Sequence, residues 1–355
     1  MSKIRAVVFG VGTFGSLLTR VMLDRGVDVV GALARSDAKV GKDLGEVAGL
    51  GRELGVAVEH DPAALLARTR PDIAVVAVTS YLVDNAPHLR ACLEGGANTL
   101  TIAEEALHPW RTSPRLAGEL DELAKANGVT LTGSGLQDAL WLNLASLLMA
   151  AGDRIDAVSG RFTWDIEAGG VEGVRLLGVG STPEEALKGA ADGEERANFS
   201  VALLHGLAAK AGLTVEDTVS EVVFDVAEEP TECRTLGTVI GPGQVIGRTD
   251  HDRVTTKEGI ELRFELRGRI FGSDDTHESD WVLEGEPEVK LCSPGLDGAT
   301  TTATQAVSRI PDVIAAPPGF ITVDRLPAPR YWNLQKGPAP RPAPVAAGAI
   351  SNGGK

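Results

Sequence analysis

From Lys3 onward the chain alternates short apolar runs rich in β-branched residues with stretches whose apolar positions recur every three or four residues. Short bounded apolar runs belong to strands and the longer period to amphipathic helices, so the alternation predicts βαβ units around a mostly parallel sheet. Strands are predicted at residues 4–9, 27–33, 73–78, 99–102 and 129–132. Helices are predicted at 13–25, at 62–70 and after Ser113-Pro114, where serine suits the N-cap and proline the first turn.

After a predicted helix over 137–150 the rhythm changes to longer alternating segments at 157–164, 219–226, 237–247, 260–270 and 280–289. Alternation of this kind predicts a largely antiparallel sheet with one face covered by helices, including one around 197–211. Residues 300–310 read as an apolar helix that returns to the first core, whereas the tail from Pro338 is small, Pro-rich and aperiodic, as expected of a disordered or loosely held arm. The fold class is therefore α/β: a doubly wound parallel sheet over residues 1–145, a second α+β domain on a largely antiparallel sheet over 146–299, a returning segment over 300–330 and a C-terminal arm over 331–355. A chain of 355 residues also exceeds what one compact core usually serves, which agrees with two domains.

Composition narrows the partners. With 43% hydrophobic and 23% charged residues the chain can pack globular cores. Its net charge of -15, from 34 basic and 49 acidic residues, repels polyanions, and no dense basic run compensates, so nucleic acid is not an expected partner. No apolar run approaches the roughly 20 residues of a membrane span, and MSKIRAVVFG enters a strand without a signal-peptide pattern, so no membrane partner and a cytoplasmic location are expected. Cys92, Cys233 and Cys292 stand apart without a CxxC pair, and the six histidines have no HxxxH or HxH spacing; neither a disulfide framework nor a metal is expected.

Gly10-Val11-Gly12-Thr13-Phe14-Gly15 lies between the first strand and the first helix. In that setting the first glycine permits the tight turn, the second lets amides approach a pyrophosphate, and the third allows the helix to close on the strand; these residues are assigned to a nicotinamide dinucleotide. At the tip of the second strand the acidic residue that would hold a ribose 2'-hydroxyl is missing, and the chain reads Ala34-Arg35-Ser36-Asp37. Arg35 with Ser36 can clamp a 2'-phosphate, which favours NADP(H) and leaves NAD(H) open through Asp37. Thr79 and Ser80 follow the strand IAVVAV at its carboxyl end, where such sheets bind ligands, and are assigned to the cofactor cleft or to capping the next helix.

Three segments resemble the family of 2,4-diaminopentanoate dehydrogenases and native amine dehydrogenases, whose fold is related to dihydrodipicolinate reductase. They are the glycine fingerprint with VGKDLGEVAG over 40–49, TIAEEALHP over 101–109, and ATQAV over 303–307 through Pro311 with APPGFIT over 316–322. The resemblance implies reductive amination of small aliphatic ketones or aldehydes with ammonia, the reverse oxidative deamination of primary amines, and a homodimer. The paired-histidine and Lys-Asp-Ala-Pro-Ser-Gly type motif of dihydrodipicolinate reductases is missing. The rival readings are an NADP-linked diamino acid dehydrogenase, a reductase of the dihydrodipicolinate type, and a dinucleotide-binding regulator without turnover.

An iminium needs a carboxylate beside the developing charge, and the doublet Glu104-Glu105 follows the fourth of the strands that end in the ligand edge. Spacing alone does not choose between them; the resemblance favours Glu104 as catalytic. It also places Leu107, Leu136, Trp141, Trp164 and Leu176 around an apolar pocket, the two tryptophans being equally suited to a core or a dimer interface. The family often carries pocket tyrosines in its second domain, yet this chain has only Tyr81 and Tyr331, which implies a greasier site.

Overall fold

A computed structural model of the chain describes residues 3–192 and 197–333. The proline-rich tail from Pro338 lies outside them. The N-terminal sheet contains β1 (Arg5–Phe9), β2 (Asp28–Leu33), β3 (Val58–Glu59), β4 (Ile73–Val76), β5 (Asn98–Thr101) and β6 (Thr130–Gly133). The second sheet contains β7 (Arg154–Asp165), β8 (Val215–Val226), β11 (Val245–Thr256), β12 (Glu261–Arg269), β13 (Glu278–Glu286) and β14 (Val289–Leu291); β9 (Thr231–Cys233) and β10 (Thr238–Ile240) pair separately, and β15 is Gly319–Phe320.

The first sheet runs β15-β6-β5-β4-β1-β2-β3, and every pairing in it is parallel. Strand alternation explains its two buried faces. Ala6 and Val8 point into one core, with Leu18 and Met22 of the Thr13–Asp24 helix and Val307 and Ile310 of the Gly298–Ala315 helix. Val7 and Phe9 point into the other, with Leu65 of the Pro62–Thr69 helix, Leu89 of Leu82–Glu94 and Leu120 of Pro114–Ala126.

The second sheet runs β14-β13-β7-β12-β11-β8 and is antiparallel except between β12 and β7. Its inner face buries Phe162, Phe264, Trp281 and Leu283 beneath residues 137–149 and the Phe199–Ala211 helix. Its outer face is laced with ion pairs such as Arg161–Asp280 and Arg267–Asp225, at 3.1 and 3.0 Å.

Two predicted strands are in fact broken. Residues 237–247 form β10 and the start of β11, separated by Gly241-Pro242-Gly243, where Gly243 has a φ of +80° that side chains disfavour. Residues 280–289 break at Pro287, which separates β13 from β14. The predicted helix over 137–150 opens as a π-helix, Gln137–Asn143, before turning α-helical at Leu144–Met149. The wide turn has a visible cause. Asn143 donates from Nδ2 to the Asp138 carbonyl at 2.8 Å and to the Asp138 carboxylate at 2.7 Å, replacing regular helix bonding.

Asp138 and Arg309 are both fully buried and meet in a two-pronged ion pair, Nε to Oδ2 at 2.7 Å and the other prong to Oδ1 at 2.9 Å. Ser134 and Gln305 also donate to the Asp138 carboxylate, at 2.8 and 3.1 Å, while Arg309 donates to Asp312 at 3.1 Å and to the Pro327 carbonyl at 2.7 Å. The pair ties the turn after β6 to the Gly298–Ala315 helix from near the chain's far end. Arg309→Met strands a buried carboxylate without its counter-charge and should cost roughly 3–5 kcal/mol. Urea unfolding measures it; a loss below about 1 kcal/mol would remove the pair from the account of stability.

Candidate active site

The carboxyl ends of β1, β4, β5 and β6 converge on one edge, and the strand order reverses between β1 and β4, the point where open α/β sheets hold ligands. The glycine loop leaves β1 there. Gly10 has a φ of +92°, and any Cβ on it would overlap the Ala77 carbonyl, while one on Gly15 would overlap the Gly10 carbonyl. Gly12 differs: a Cβ there meets nothing within 4 Å, so its position faces open space. Gly12 is also the N-cap of the Thr13–Asp24 helix, which has no side-chain cap and no acidic residue in its first turn. Exposed Gly12, Thr13 and Phe14 thus surround a helix terminus whose amides are available to an anion, which fits the pyrophosphate of a dinucleotide.

Arg35 and Ser36 are exposed at the tip of β2. The guanidinium lies close enough to His88 that, added to burial, its charge lowers the imidazole pKa. Thr79 and Ser80 follow β4 across the switch point, half-buried; the Thr79 carbonyl accepts from Asn85 Nδ2 at 2.7 Å.

The acidic doublet sits on a 3-10 turn, Glu104–Leu107, just after β5. The two carboxylates have different surroundings. Glu105 is 2% exposed and accepts from the Leu82 amide at 2.7 Å, from Ser113 Oγ at 2.5 Å and from Thr112 Oγ1 at 3.1 Å. It caps the Leu82–Glu94 helix, whose own N-cap residue, Tyr81, makes no side-chain cap. Glu104 is half-buried, and burial pushes its carboxyl above the usual carboxylate range, opposed by the Ser80 hydroxyl and its own amide. Ser80, assigned from sequence to the cofactor cleft, is therefore also a partner of Glu104.

Leu107, Leu136 and Trp141 share one buried cluster under the second sheet. Trp141 packs on Phe162 and Phe264 at ring-centroid distances of 5.2 and 5.1 Å, and its indole N–H is buried without a partner among the described residues. Trp164 is half-buried between this cluster and a smaller one around Ile166 and Ile246. Leu176 is not brought to the others; it ends the Gly170–Leu176 helix and is 49% exposed. The second domain reaches the cleft through Phe199, at the start of its main helix, whose ring lies 5.1 Å from that of Tyr81. Sequence reasoning missed this contact because nothing local relates residues 118 positions apart.

His108, closing the 3-10 turn, is buried and its pKa is lowered by burial against the charge of Asp324. Among the described residues no helix is long and apolar enough to cross a membrane.

Because Glu105 bonds a helix terminus and Glu104 is charged at a cost, the two should respond oppositely to neutralisation. Glu105→Ala should lower stability by about 1–3 kcal/mol. Glu104→Gln should raise it at neutral pH. A carboxyl whose folded pKa is raised favours folding when protonated and loses that contribution as pH climbs through the folded value, so the gain from Glu104→Gln should vanish as pH falls below the ordinary carboxylate range. Melting temperatures across pH decide it; a gain independent of pH, or destabilisation by Glu104→Gln alone, contradicts the assignment.

The model of the 2,4-diaminopentanoate dehydrogenase C-terminal domain matches residues 140–336. The 2,4-diaminopentanoate dehydrogenase of Acetoanaerobium sticklandii is 24% identical over 357 residues, covering 93% of this chain and 95% of that protein. The structure of an amine dehydrogenase from Mycobacterium smegmatis is 48% identical with a TM-score of 0.87, covering 93% of this chain and 98% of that one. At the level of fold alone, biliverdin reductase from Synechocystis, solved with biliverdin and NADP+, superposes with a TM-score of 0.55 at 12% identity over 91% of this chain and 95% of its own.

Proposed function

The chain belongs to the 2,4-diaminopentanoate dehydrogenase family, and on that premise we propose that it is a nicotinamide-dependent amine dehydrogenase acting on small aliphatic primary amines and, in reverse, on small ketones or aldehydes with ammonia. One observation carries the chemical part of this reading: of the two carboxylates delivered by β5, Glu105 is consumed in capping a helix, and Glu104 remains at the ligand edge with a raised pKa.

The dinucleotide is assigned to Gly10, Gly12, Thr13, Phe14 and Gly15 at its pyrophosphate and to Thr79 and Ser80 beside the cleft. Exposed Arg35 and Ser36, with no acidic residue at the tip of β2, support a preference for NADP(H) with NAD(H) accepted. Held by these residues, a bound nicotinamide would supply the hydride chemistry at the amine-bearing carbon. The protein supplies charge and protons. In the amination direction Glu104, as carboxylate, takes a proton from ammonium; the ammonia so released adds to the carbonyl, a proton passes from its nitrogen to the new oxygen, and the Glu104 carboxyl returns its own proton to that hydroxyl, which leaves as water. The carboxylate, again charged, then balances the iminium until its carbon is reduced. Ser80, donating to Glu104, holds that carboxyl in place.

Leu107, Leu136, Trp141 and Trp164 are assigned to the apolar wall, for which an unclamped alkyl chain is the matching substrate. A homodimer is assigned to the outer face of the second sheet; as a lone chain it leaves Val219 and Val223 of β8 exposed there.

The test follows NADPH oxidation with a panel of carbonyl compounds, with and without ammonia. Oxidation should require ammonia, and Glu104→Gln should lower the rate roughly 10²-fold to 10⁴-fold with cofactor affinity unchanged. Oxidation equally fast without ammonia means a ketone reductase, and an unimpaired Glu104→Gln removes the carboxylate from the chemistry.

A further inference from the structure

We propose that Lys39 is a second cation for the 2'-phosphate of NADP(H), closing on it from the glycine-loop side while Arg35 closes from the other. The inference rests on the assignment of NADP(H) made above and adds a residue that neither the fingerprint nor the strand tip points to.

Lys39 lies on the loop after β2, four residues beyond Arg35. The loop does not run out into solvent. The Lys39 and Val40 amides both donate back to the Ser36 carbonyl, at 2.9 and 3.3 Å, the Lys42 amide donates to the Lys39 carbonyl at 3.2 Å, and the Gly41 amide donates to the Val58 carbonyl of β3 at 2.8 Å. These bonds fold the segment over the sheet edge, so that Lys39 Nζ donates to the carbonyl of Val11, inside the glycine fingerprint, at 2.6 Å. An ammonium has three donors and Val11 takes one, which leaves two for a ligand lying between the fingerprint and the tip of β2. In a dinucleotide fold that place belongs to the adenosine ribose.

The Arg35 charge adds to burial in depressing the imidazole of His88 on the Leu82–Glu94 helix, and His88 in turn lies edge-on to Phe9 at the end of β1. Lys39 inclines toward Val11. Ser36, between them in the chain, offers a hydroxyl at an exposed position. Of the acidic residues nearby, Glu59 at the end of β3 is already engaged by Arg68. Asp37 is exposed in the loop itself, and it is the group against which two cations rather than one give net attraction. On a chain of net charge -15, drawing in a dianion needs such a local reversal of sign.

The decisive comparison uses two fragments that differ only in the group concerned: 2',5'-ADP and 5'-AMP, each titrated calorimetrically into the full-length wild type, Arg35→Ala and Lys39→Met. Wild type should bind 2',5'-ADP the more tightly. Lys39→Met should weaken 2',5'-ADP roughly 10-fold to 100-fold, as for loss of one charge-assisted contact, with 5'-AMP within about twofold of wild type. Lys39→Arg should restore part of the loss, since it restores the charge in a different shape. Equal weakening of both fragments places Lys39 on the 5'-phosphate side and overturns the proposal. Unchanged binding of both overturns it as well. If Arg35→Ala abolishes the preference for 2',5'-ADP and Lys39→Met does not, the NADP(H) assignment stands and Lys39 alone is wrong; if wild type itself shows no preference, the NADP(H) assignment fails first.

Discussion

The buried pair of Asp138 and Arg309 holds the two ends of the chain's logic together. Asp138 stands where the last of the six N-terminal strands gives way to the second domain, and Arg309 stands on the helix that comes back to cover the first sheet. A charge pair withdrawn from water is tolerable only when its hydrogen bonds are complete, and here Ser134, Asn143, Gln305, Asp312 and the Pro327 carbonyl supply the rest. The geometry leaves little freedom in the direction in which the chain leaves β6. The π-turn at Gln137–Asn143 follows from the same set of bonds, and through it the placement of Leu136 and Trp141 relative to the ligand edge.

That edge divides charge by position. Around the glycine loop the approach is mostly donors, uncapped amides with Arg35 and Lys39, against the single carboxylate of Asp37. Two strands away, after β5, it is carboxylate, and of the two acids there Glu105 has become part of the scaffold. Neighbouring residues in an acidic doublet thus do different physical work. Glu105 is tied by a helix terminus and two hydroxyls, and Glu104 is reluctant to be an anion because its surroundings give back less than burial removes.

Much of this was legible in the sequence. The fingerprint, the alternation of strand and helix, and the return of residues 300–310 to the first core all follow from periodicity and glycine placement, and the structure has them, down to Ala303, Val307 and Ile310 in the core under β1. What escaped was whatever depends on partners far away in the chain. The choice between Glu104 and Glu105 turns on where Leu82 and Ser113 lie; the breaks at Gly241-Pro242-Gly243 and Pro287 were written in breaker residues but masked by apolar runs on both sides. The π-turn has the apolar spacing of an ordinary helix and is set by a side-chain bond that periodicity does not encode. Leu176, grouped by resemblance with the pocket, sits apart on an exposed helix end.

The short strand β15 adds to β6 through Gly319 and Phe320, and its flanks are fixed by Thr130 and Thr132, which donate to the carbonyls of Pro317 and Ile321 at 3.0 and 2.9 Å. The sheet that begins the chain is therefore finished by residues more than 300 positions from its first strand. During synthesis the N-terminal unit emerges from the ribosome lacking both its edge strand and the Gly298–Ala315 helix over one of its faces, and it waits in that state while the whole second domain is translated. Apolar surface around Leu18, Met22 and Val8 stays uncovered for that interval. Closure of the first domain's core therefore waits until residues 298–320 have been made.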